Sequence, residues 1–312
     1  MARYFVTGGA GFIGSNIARE LVRQGQDVVV FDNLSTGSRD NLADILGSIE
    51  FVEGDIKNLP ALTEIMAGTD FVLHQAALRA VERSVDDPLE TNDNNITGTL
   101  NVLLAAREAK VQRVVFASSS SIYGNQAQER QVETLPPAPA SPYALSKLAG
   151  EHYCRLFSEL FNVPTVCLRY FNVFGPYQNP QSKYSAVIPI FVQQLMTDTP
   201  PDIHWHGEQS RDFTYVDNVV SANLLAAASQ NVGRGEILNI GNGENISVND
   251  LYGEIQKLLG KEVTPRRTEK RAGDVLKTYA DISRAKELIG YQPVVTFAEG
   301  LARSIAWYKK NL

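Results

Sequence analysis

Short apolar runs alternate with longer amphipathic stretches through the first 170 residues of the chain. Six of the short runs are rich in β-branched and aromatic residues, which predicts buried strands of a parallel sheet. Between them, Phe12–Arg23 and Asn94–Ala109 carry apolar residues at helical spacing. Strands that alternate with helices over this length predict a doubly wound α/β fold. The six predicted strands are Tyr4–Thr7, Asp27–Phe31, Glu50–Val52, Phe71–His74, Val114–Ala117 and Thr165–Tyr170.

A proline-rich loop at 133–142 leads into a long helix that we predict to begin near Tyr143. Apolar residues recur along this helix at three- and four-residue spacing, and we expect them to form a single buried face. They are Leu145, Leu148, Ala149, His152, Tyr153, Leu156, Phe157 and Leu160.

Beyond residue 175 the chain is more polar and richer in turns, which predicts a smaller C-terminal α/β lobe. Capping boxes at Ser247–Asp250 and Thr296–Glu299 predict helix starts within it. The apolar run Ile237–Ile240 predicts a further core strand, so we expect the two lobes to be interleaved. The expected boundaries are 1–172, with a return near 213–241, for the first unit, and 173–312 for the second, discontinuous one.

Composition narrows the possible partners and surroundings of the protein. The 312 residues are 44% hydrophobic, enough for a sizeable core, and the formal net charge of -6 argues against a nucleic-acid partner. No apolar run approaches the roughly 18 residues of a membrane span. Cys154 and Cys167 are too few for a disulfide framework, which predicts a reduced, cytoplasmic protein. His204 and His206 lack further ligands at metal spacing, so we expect no metal site.

A glycine-rich turn between the first strand and the first helix predicts a dinucleotide site. Glycines at 8, 11 and 14 permit a tight turn and a close backbone approach to a pyrophosphate at the helix N-terminus. Asp32, 18 residues beyond Gly14, follows the second strand. Its carboxylate can accept hydrogen bonds from ribose hydroxyls and repel a 2′-phosphate, which predicts NAD rather than NADP. Asp55 and Ile56, after the third strand, are weaker candidates for an adenine contact.

Tyr143 and Lys147 are four residues apart on a predicted helix, so they share one face. A free phenol has a pKa of about 10. A nearby ammonium and a positively charged nicotinamide ring favour the phenolate, which can take a proton from a substrate hydroxyl. The four serines at 118–121 follow another strand and can supply a third hydroxyl at the same sheet edge. Spacing alone does not indicate which serine acts.

The chain resembles the extended short-chain dehydrogenases/reductases and, within them, the UDP-hexose 4-epimerases. The resemblance covers nearly all 312 residues. The motifs that carry it are TGGAGFIG, FDNLSTG, HQAAL, SSSSIYG, SPYALSK, LRYFNVFGP, GEQSRDF and RAGD.

The resemblance implies an NAD-binding Rossmann-type first unit, a UDP-sugar-binding second lobe, and a homodimer formed through the helices near 94–109 and 143–161. It implies that Ser119, four residues before Tyr123, is catalytic together with Tyr143 and Lys147. The implied cofactor contacts are Gly8, Gly11, Phe12, Ile13, Asp32, Asn33, Ser35, Thr36, Gly37, Asp55, Ile56, Ala76, Ala77, Arg79, Asn94, Tyr143, Lys147 and Tyr170. The implied substrate contacts are Ser119, Ser120, Ser121, Tyr143, Asn172, Val187, Arg211, Arg271, Asp274 and Thr278.

The residues after Ser119 separate the reactions of the resembling enzymes. Related 4,6-dehydratases carry an aspartate and a glutamate there, and related decarboxylases carry a glutamate two residues on. Here the positions are Ser120 and Ser121, neither of which is a useful acid or base at neutral pH. The resemblance therefore favours epimerisation at carbon 4 of the sugar, through a 4-keto intermediate.

The sugar itself is predicted from the serine block, Thr278 and the AVIP segment. Ser120 and Ser121 can hydrogen-bond an amide at carbon 2 of the sugar. Thr278 replaces a bulky tyrosine of glucose-restricted relatives, and the AVIP segment at Ala186–Pro189 resembles the UDP-N-acetylglucosamine 4-epimerases. We therefore expect interconversion of UDP-GlcNAc and UDP-GalNAc, together with UDP-Glc and UDP-Gal. A glucose-restricted enzyme remains an alternative, as does a UDP-glucuronate epimerase in which Arg79 supplies an extra cation. A non-enzymatic NAD sensor is disfavoured because Ser119, Tyr143 and Lys147 are all present.

Overall fold

A computed structural model describes residues 1–79, 81–126, 128, 130–179, 186–269 and 277–311. The six predicted strands are confirmed, each to within two residues at either end. In chain order the strands are β1 (Arg3–Thr7), β2 (Asp27–Asp32), β3 (Glu50–Glu53), β4 (Phe71–His74), β5 (Arg113–Ser119), β6 (Thr165–Tyr170), β7 (Val173–Phe174), β8 (Asp202–His204), β9 (Ser210–Arg211), β10 (Thr214–Tyr215), β11 (Arg234–Ile240), β12 (Ile246–Ser247), β13 (Arg266–Thr268) and β14 (Lys277–Thr278).

Seven of these strands form one parallel sheet in the order β3-β2-β1-β4-β5-β6-β11. The helices are α1 (Phe12–Arg23), α2 (Leu59–Ile65), α3 (Val81–Asp86), α4 (Pro88–Asn92), α5 (Gly98–Ala109), α6 (Pro142–Phe161), α7 (Val187–Met196), α8 (Val216–Ala228), α9 (Val248–Leu259), α10 (Ser283–Ile289) and α11 (Phe297–Asn311). The stretch predicted as one helix over 94–109 begins with a π-helical turn at Asp93–Thr97 and continues as α5.

Alternate residues of the central strands face two separate cores. Val28 and Val30 of β2 pack in the core that contains α1 and α8, whereas Val29 and Phe31 pack with α2, α5 and α6. Because helices cover both faces of the sheet, apolar residues occupy consecutive positions of these strands rather than alternate ones. The predicted doubly wound α/β fold is confirmed.

The predicted buried face of α6 is wrong. Leu145, Leu156 and Leu160 are exposed, and the side of α6 that faces the sheet carries Ala144, Ser146, Lys147, Gly150, Glu151, Cys154 and Phe157. The helix has two stripes that contain apolar residues, and spacing alone cannot tell which one faces the sheet. The polar residues on the buried stripe lie beside the candidate site described below.

A smaller set of elements packs beyond the carboxyl edge of the sheet. Helices α7, α9 and α11 contact one another there, with the Phe191 and Tyr252 rings 5.4 Å apart. Both predicted helix starts are confirmed, because Ser247 Oγ accepts from the Asp250 amide and Thr296 Oγ1 from the Glu299 amide. The predicted strand Ile237–Ile240 is the end of β11, which returns the chain to the central sheet. No helix in the described ranges is long and apolar enough to span a bilayer.

Candidate active site

The glycine turn lies between β1 and α1, as the sequence predicts. Gly8 has φ of +66°, and a Cβ there would lie 2.7 Å from the Ala76 backbone. A Cβ at Gly14 would meet the carbonyl oxygen of Gly8. Side chains are therefore excluded from both positions, and the first turn of α1 stays open to a ligand. Such a cradle at a helix N-terminus fits the diphosphate of a dinucleotide.

Asp32 lies at the end of β2 and is 7% exposed. Its Oδ2 accepts from the Ala10 amide at 2.9 Å and its Oδ1 from the Leu34 amide at 2.8 Å. Burial raises the pKa of this carboxyl group, and the two amides partly oppose that rise. Each oxygen keeps a second lone pair, so the carboxylate is oriented at the cleft wall and can still accept from a ligand hydroxyl.

Ser119 and Tyr143 meet where β5 ends and α6 begins. Ser141 caps α6 by accepting from the Ala144 amide at 3.1 Å, which fixes the turn that presents Tyr143. Ser119 Oγ accepts from the Ser121 amide at 3.2 Å and from the Ser121 hydroxyl at 2.9 Å. Two donors to one oxygen leave the Ser119 proton free to be donated to the Tyr143 phenol.

The pKa of the Tyr143 phenol is raised by burial, while the hydrogen bond with Ser119 and the charge of Arg79 lower it. Arg79 extends from the loop after β4 into the same cleft. Its guanidinium is accessible from the cleft, yet the surrounding protein desolvates it and lowers its pKa. The sequence predicted Lys147 as the cation that acts on the phenol, whereas the cation that lowers the phenol pKa in the structure is Arg79.

Lys147 is buried at one turn from Tyr143 on α6. Its Nζ donates to the Ala117 carbonyl oxygen at 2.8 Å and lies 4.9 Å from the centroid of the Phe116 ring. Desolvation lowers the pKa of this ammonium to about 8, so it titrates close to neutral pH. Strand β5 thus holds both the candidate serine and the lysine contact.

These groups line one cleft of about 1450 Å³ between the sheet and the C-terminal elements. Most of the predicted site residues border it. They are Gly8, Gly11, Phe12, Ile13, Asp32, Asn33, Ser35, Thr36, Gly37, Ile56, Ala76, Ala77, Arg79, Asn94, Ser119, Ser120, Ser121, Tyr143, Lys147, Tyr170 and Asn172.

Three described residues of the predicted set, Asp55, Val187 and Arg211, are not among those that border this cleft. Asp55 is linked to its wall because it accepts from Asn33 Nδ2 at 3.1 Å. Val187 is the first residue of α7, directly after the cleft residue Ala186. Arg211 lies on β9, opposite Thr278 of β14. Arg271, Asp274 and the side chain of Thr278 lie outside the described part of the chain.

The sequence interpretation missed cleft residues that come from distant segments. Trp307 and Asn311 of α11 border the cleft, as do Tyr177 and Gln178 after β7. The Tyr177 ring lies between the Arg19 guanidinium, at 4.3 Å, and the Trp307 ring, at 5.2 Å. No local motif in the sequence indicates that Trp307 borders a binding cleft.

Comparisons with known proteins identify the family and the fold. The model of the NAD-dependent epimerase/dehydratase family matches residues 4–241. A UDP-glucose 4-epimerase of Mycolicibacterium smegmatis is 36% identical over 99% of both chains. The structure of a Methanobrevibacter ruminantium UDP-N-acetylglucosamine 4-epimerase in complex with UDP-N-acetylmuramic acid is similar, with a TM-score of 0.95 and 35% identity over 100% of this chain and 99% of that one. So is a Bacillus cereus UDP-glucuronic acid 4-epimerase with UDP-glucuronic acid and NAD, with a TM-score of 0.92 and 33% identity over 99% and 100% of the chains.

Proposed function

The chain belongs to the NAD-dependent epimerase/dehydratase family, and from this membership we propose that it inverts carbon 4 of a UDP-hexose. The observation that carries the proposal is the meeting of Ser119, Tyr143 and Lys147 in one cleft beside the glycine cradle. The positions after Ser119 hold two hydroxyl groups and no carboxylate. These two positions therefore offer neither the acid nor the base needed to eliminate water from carbon 6 of the sugar. Of the reactions considered, they are compatible with reversible oxidation at carbon 4.

In this proposal Tyr143 is the general base that takes the proton of the sugar 4-hydroxyl. Ser119 donates to the phenol oxygen and stabilises the phenolate, and the positive charge of Arg79 favours the same form. Lys147, one turn further along α6, is proposed to add its charge to this effect. After the planar 4-keto sugar has turned in the cleft, Tyr143 returns the proton to the new 4-hydroxyl. The nucleotide must stay fixed while the sugar turns, which requires firm contacts to UDP and weaker ones to the hexose.

NAD fits the Gly8–Gly14 cradle, the α1 N-terminus and the Asp32 carboxylate. When bound it supplies the hydride acceptor and donor for carbon 4. The proposed cofactor contacts are those expected from the sequence, with Asp55 acting through Asn33. We assign NAD binding to a unit of residues 1–172 with the return at 213–241, and UDP-sugar binding to residues 173–312.

The proposed sugar is N-acetylated, with the plain hexose as a second substrate. The hydroxyls of Ser120 and Ser121 border the cleft and are suited to hydrogen-bond an amide at carbon 2 of the sugar. The likeness to a structure that holds UDP-N-acetylmuramic acid supports room for an N-acetyl group. Arg211 and Arg271 are proposed to hold the UDP diphosphate by paired charge-assisted hydrogen bonds.

UDP-glucuronate is the second candidate, and one observation favours it. Arg79 brings a guanidinium into the cleft near Tyr143, where a uronate carboxylate would find a cation. The similar Bacillus cereus enzyme acts as a UDP-glucuronic acid 4-epimerase. The N-acetylated sugar and UDP-glucuronate differ in what they require of Arg79. Only the uronate has a carboxylate on the sugar ring that the positive charge of Arg79 would bind.

The deciding experiment measures 4-epimerisation of UDP-GlcNAc, UDP-Glc and UDP-GlcA side by side. We expect turnover of the first two. Tyr143→Phe should lower kcat by at least roughly 100-fold, the usual scale of a general base. Tyr153→Phe, on the same helix, should leave kcat within about twofold. Turnover of UDP-Glc without any turnover of UDP-GlcNAc refutes the N-acetyl proposal. Turnover of UDP-GlcA alone establishes the second candidate. A Tyr143→Phe variant with unimpaired kcat refutes Tyr143 as the general base.

A homodimer is proposed because α6 turns apolar residues to solvent. Leu145, Leu160 and Phe161 are 55%, 66% and 44% exposed, and Leu89 of the neighbouring helix α4 is 83% exposed. Exposed large apolar side chains on packed neighbouring helices mark an interaction surface. A second copy related by a twofold axis would cover the same surface on both subunits.

A further inference from the structure

A carboxylate that the proposed chemistry does not use lies on the catalytic side of α6. Glu151 follows Lys147 by four residues and Tyr143 by eight, so the three side chains lie on one face of the helix. The Glu151 side chain is only 2% exposed, and a carboxylate is rarely buried so completely without a specific partner.

Two neighbouring strands bind this carboxylate. Ser118 Oγ donates to Glu151 Oε1 at 2.6 Å. Arg169 Nε donates to the same oxygen at 2.8 Å, and Arg169 Nη2 donates to Oε2 at 2.7 Å. Ser118 of β5 and Arg169 of β6 are direct neighbours in the sheet. Ser118, Glu151 and Arg169, here named the α6 clamp, therefore tie the helix to both strands at once.

The α6 clamp lies in the middle of the catalytic contacts. Ala117, Ser118 and Ser119 are consecutive residues of β5, and each bonds a different turn of α6. The Ala117 carbonyl accepts from Lys147, the Ser118 hydroxyl donates to Glu151, and Ser119 bonds Tyr143. A shift of α6 along β5 would disturb all three contacts together.

Stability alone does not account for this pair. Replacing a buried ion pair by apolar residues of similar volume is often neutral or stabilising, because both charges lose their hydration. Arg169 Nη1 is buried without a partner, which adds to that cost. The guanidinium also lies 4.6 Å from the Tyr123 ring centroid, and the Tyr123 hydroxyl donates to Asn239 of β11 at 2.7 Å. The contacts thus extend to the edge of the sheet.

We propose that Glu151 is a positioning residue: held by Ser118 and Arg169, it fixes the register of α6 on β5 so that Tyr143 and Lys147 stay at Ser119. The proposal rests on the function proposed above. A displacement of about 1 Å in a catalytic group can cost roughly 100-fold in rate, so loss of the α6 clamp should lower kcat more than substrate binding.

The charge of Glu151 also acts on Lys147. The ammonium faces Glu151 and Cys154 on α6 and lies near His74 on β4. Glu151 and Cys154 raise its pKa, while desolvation lowers it to about 8. His74 stays neutral, since burial lowers its pKa to about 3. Removing the Glu151 charge therefore moves the Lys147 pKa further down, and the alkaline limb of the pH–rate profile should move the same way.

The test compares Glu151→Gln with the wild-type holoenzyme. We expect kcat to fall at least tenfold, KM for the UDP-hexose to stay within about twofold, and the alkaline limb to move to lower pH. Glu159→Gln is the matched control, because Glu159 lies on the same helix but is exposed and forms a loose ion pair with Arg155 at 3.9 Å. It should leave all three quantities unchanged. Ser118→Ala removes one hydrogen bond of the α6 clamp and should also lower kcat. This variant replaces Glu151→Gln in the test if Glu151→Gln does not fold.

A double variant separates positioning from stability. Glu151→Met with Arg169→Met removes both charges and keeps much of the volume, so its Tm should be close to that of the wild type. If Glu151 positions the catalytic residues, kcat stays at least tenfold down in this folded protein. If kcat and the pH profile return to wild-type values, the inference is overturned. Failure of the proposed function is a different result, namely a wild-type protein that epimerises none of the three UDP-sugars.

Discussion

At the scale of single residues, His74 shows how a buried polar side chain beneath the cleft is satisfied by its neighbours. His74 lies between two threonine hydroxyls, with Nδ1 2.7 Å from Thr7 Oγ1 and Nε2 3.0 Å from Thr99 Oγ1. Thr7 is the last residue before the glycine turn, and its hydroxyl also accepts from the Ala76 amide at 3.2 Å. His74 therefore supports both walls of the cradle without touching the cleft itself.

This histidine makes the protein less stable in mild acid. Burial, with the charge of Lys147, lowers the His74 pKa to about 3, whereas the unfolded chain has an ordinary value of about 6.5. Below pH 6.5 the unfolded state binds more protons than the folded state, so the free energy of unfolding falls as pH falls, by up to about 1.4 kcal/mol per pH unit. His74→Asn removes this titration. Urea unfolding at pH 7.5 and 5.5 measures how much the free energy of unfolding falls between the two pH values. This fall should be about 1.4 kcal/mol larger in the wild type than in the variant.

Asp212 titrates in the same range and must be separated from this effect. Burial raises its pKa to about 6, so its own contribution changes with pH in the opposite direction. Both proteins contain Asp212, and its contribution cancels when their pH dependences are compared. Equal losses of stability in wild type and His74→Asn would contradict the assignment to His74.

At the scale of elements, the strands were predictable and the orientation of one helix was not. Buried parallel strands such as β4 and β6 are short, mainly apolar runs rich in β-branched and aromatic residues, and this composition predicts them. Helix α6 is different, because its sheet side must carry Lys147 and Glu151 for the site, while its outer side keeps the leucines. Hydrophobic periodicity therefore indicated the solvent side as the buried one. The catalytic spacing of Tyr143 and Lys147 was the better signal for the inner face.

The outer face of α6 is predicted to form the subunit contact. Leu160→Glu places a charge where a second copy would bury an apolar side chain, and this should weaken the dimer at least tenfold, since burying an unpaired charge is costly. Val294→Glu is the control, because Val294 is 63% exposed on a loop outside α6. Sedimentation velocity over a range of concentrations measures both. A wild type that stays monomeric at every concentration, or a Leu160→Glu variant with an unchanged dimer, argues against this surface.

At the scale of the whole molecule, the cleft joins segments that are far apart in sequence. The first glycine turn, the end of β5 and the last helix α11 all border it. Local motifs predicted the first two, because phosphate binding and proton transfer require particular residues at fixed spacing. Nothing local predicts that Trp307 packs on Tyr177 and borders the cleft, since this depends on how the C-terminal elements pack on the sheet.

A ligand that fills this cleft contacts segments from both ends of the chain, so its binding should stabilise the entire fold. NAD at about 100 times its Kd should raise the free energy of unfolding by about 2.7 kcal/mol, which corresponds to an increase in Tm of roughly 5 °C. NADP at the same concentration should give a much smaller increase, because the Asp32 carboxylate repels the 2′-phosphate. Differential scanning fluorimetry on protein freed of nucleotide measures both increments. The Asp32→Asn variant should reduce the difference between them, since it removes the charge but keeps an oxygen for the Ala10 amide. An equal Tm increase with NADP in the wild type would show that Asp32 does not select the cofactor.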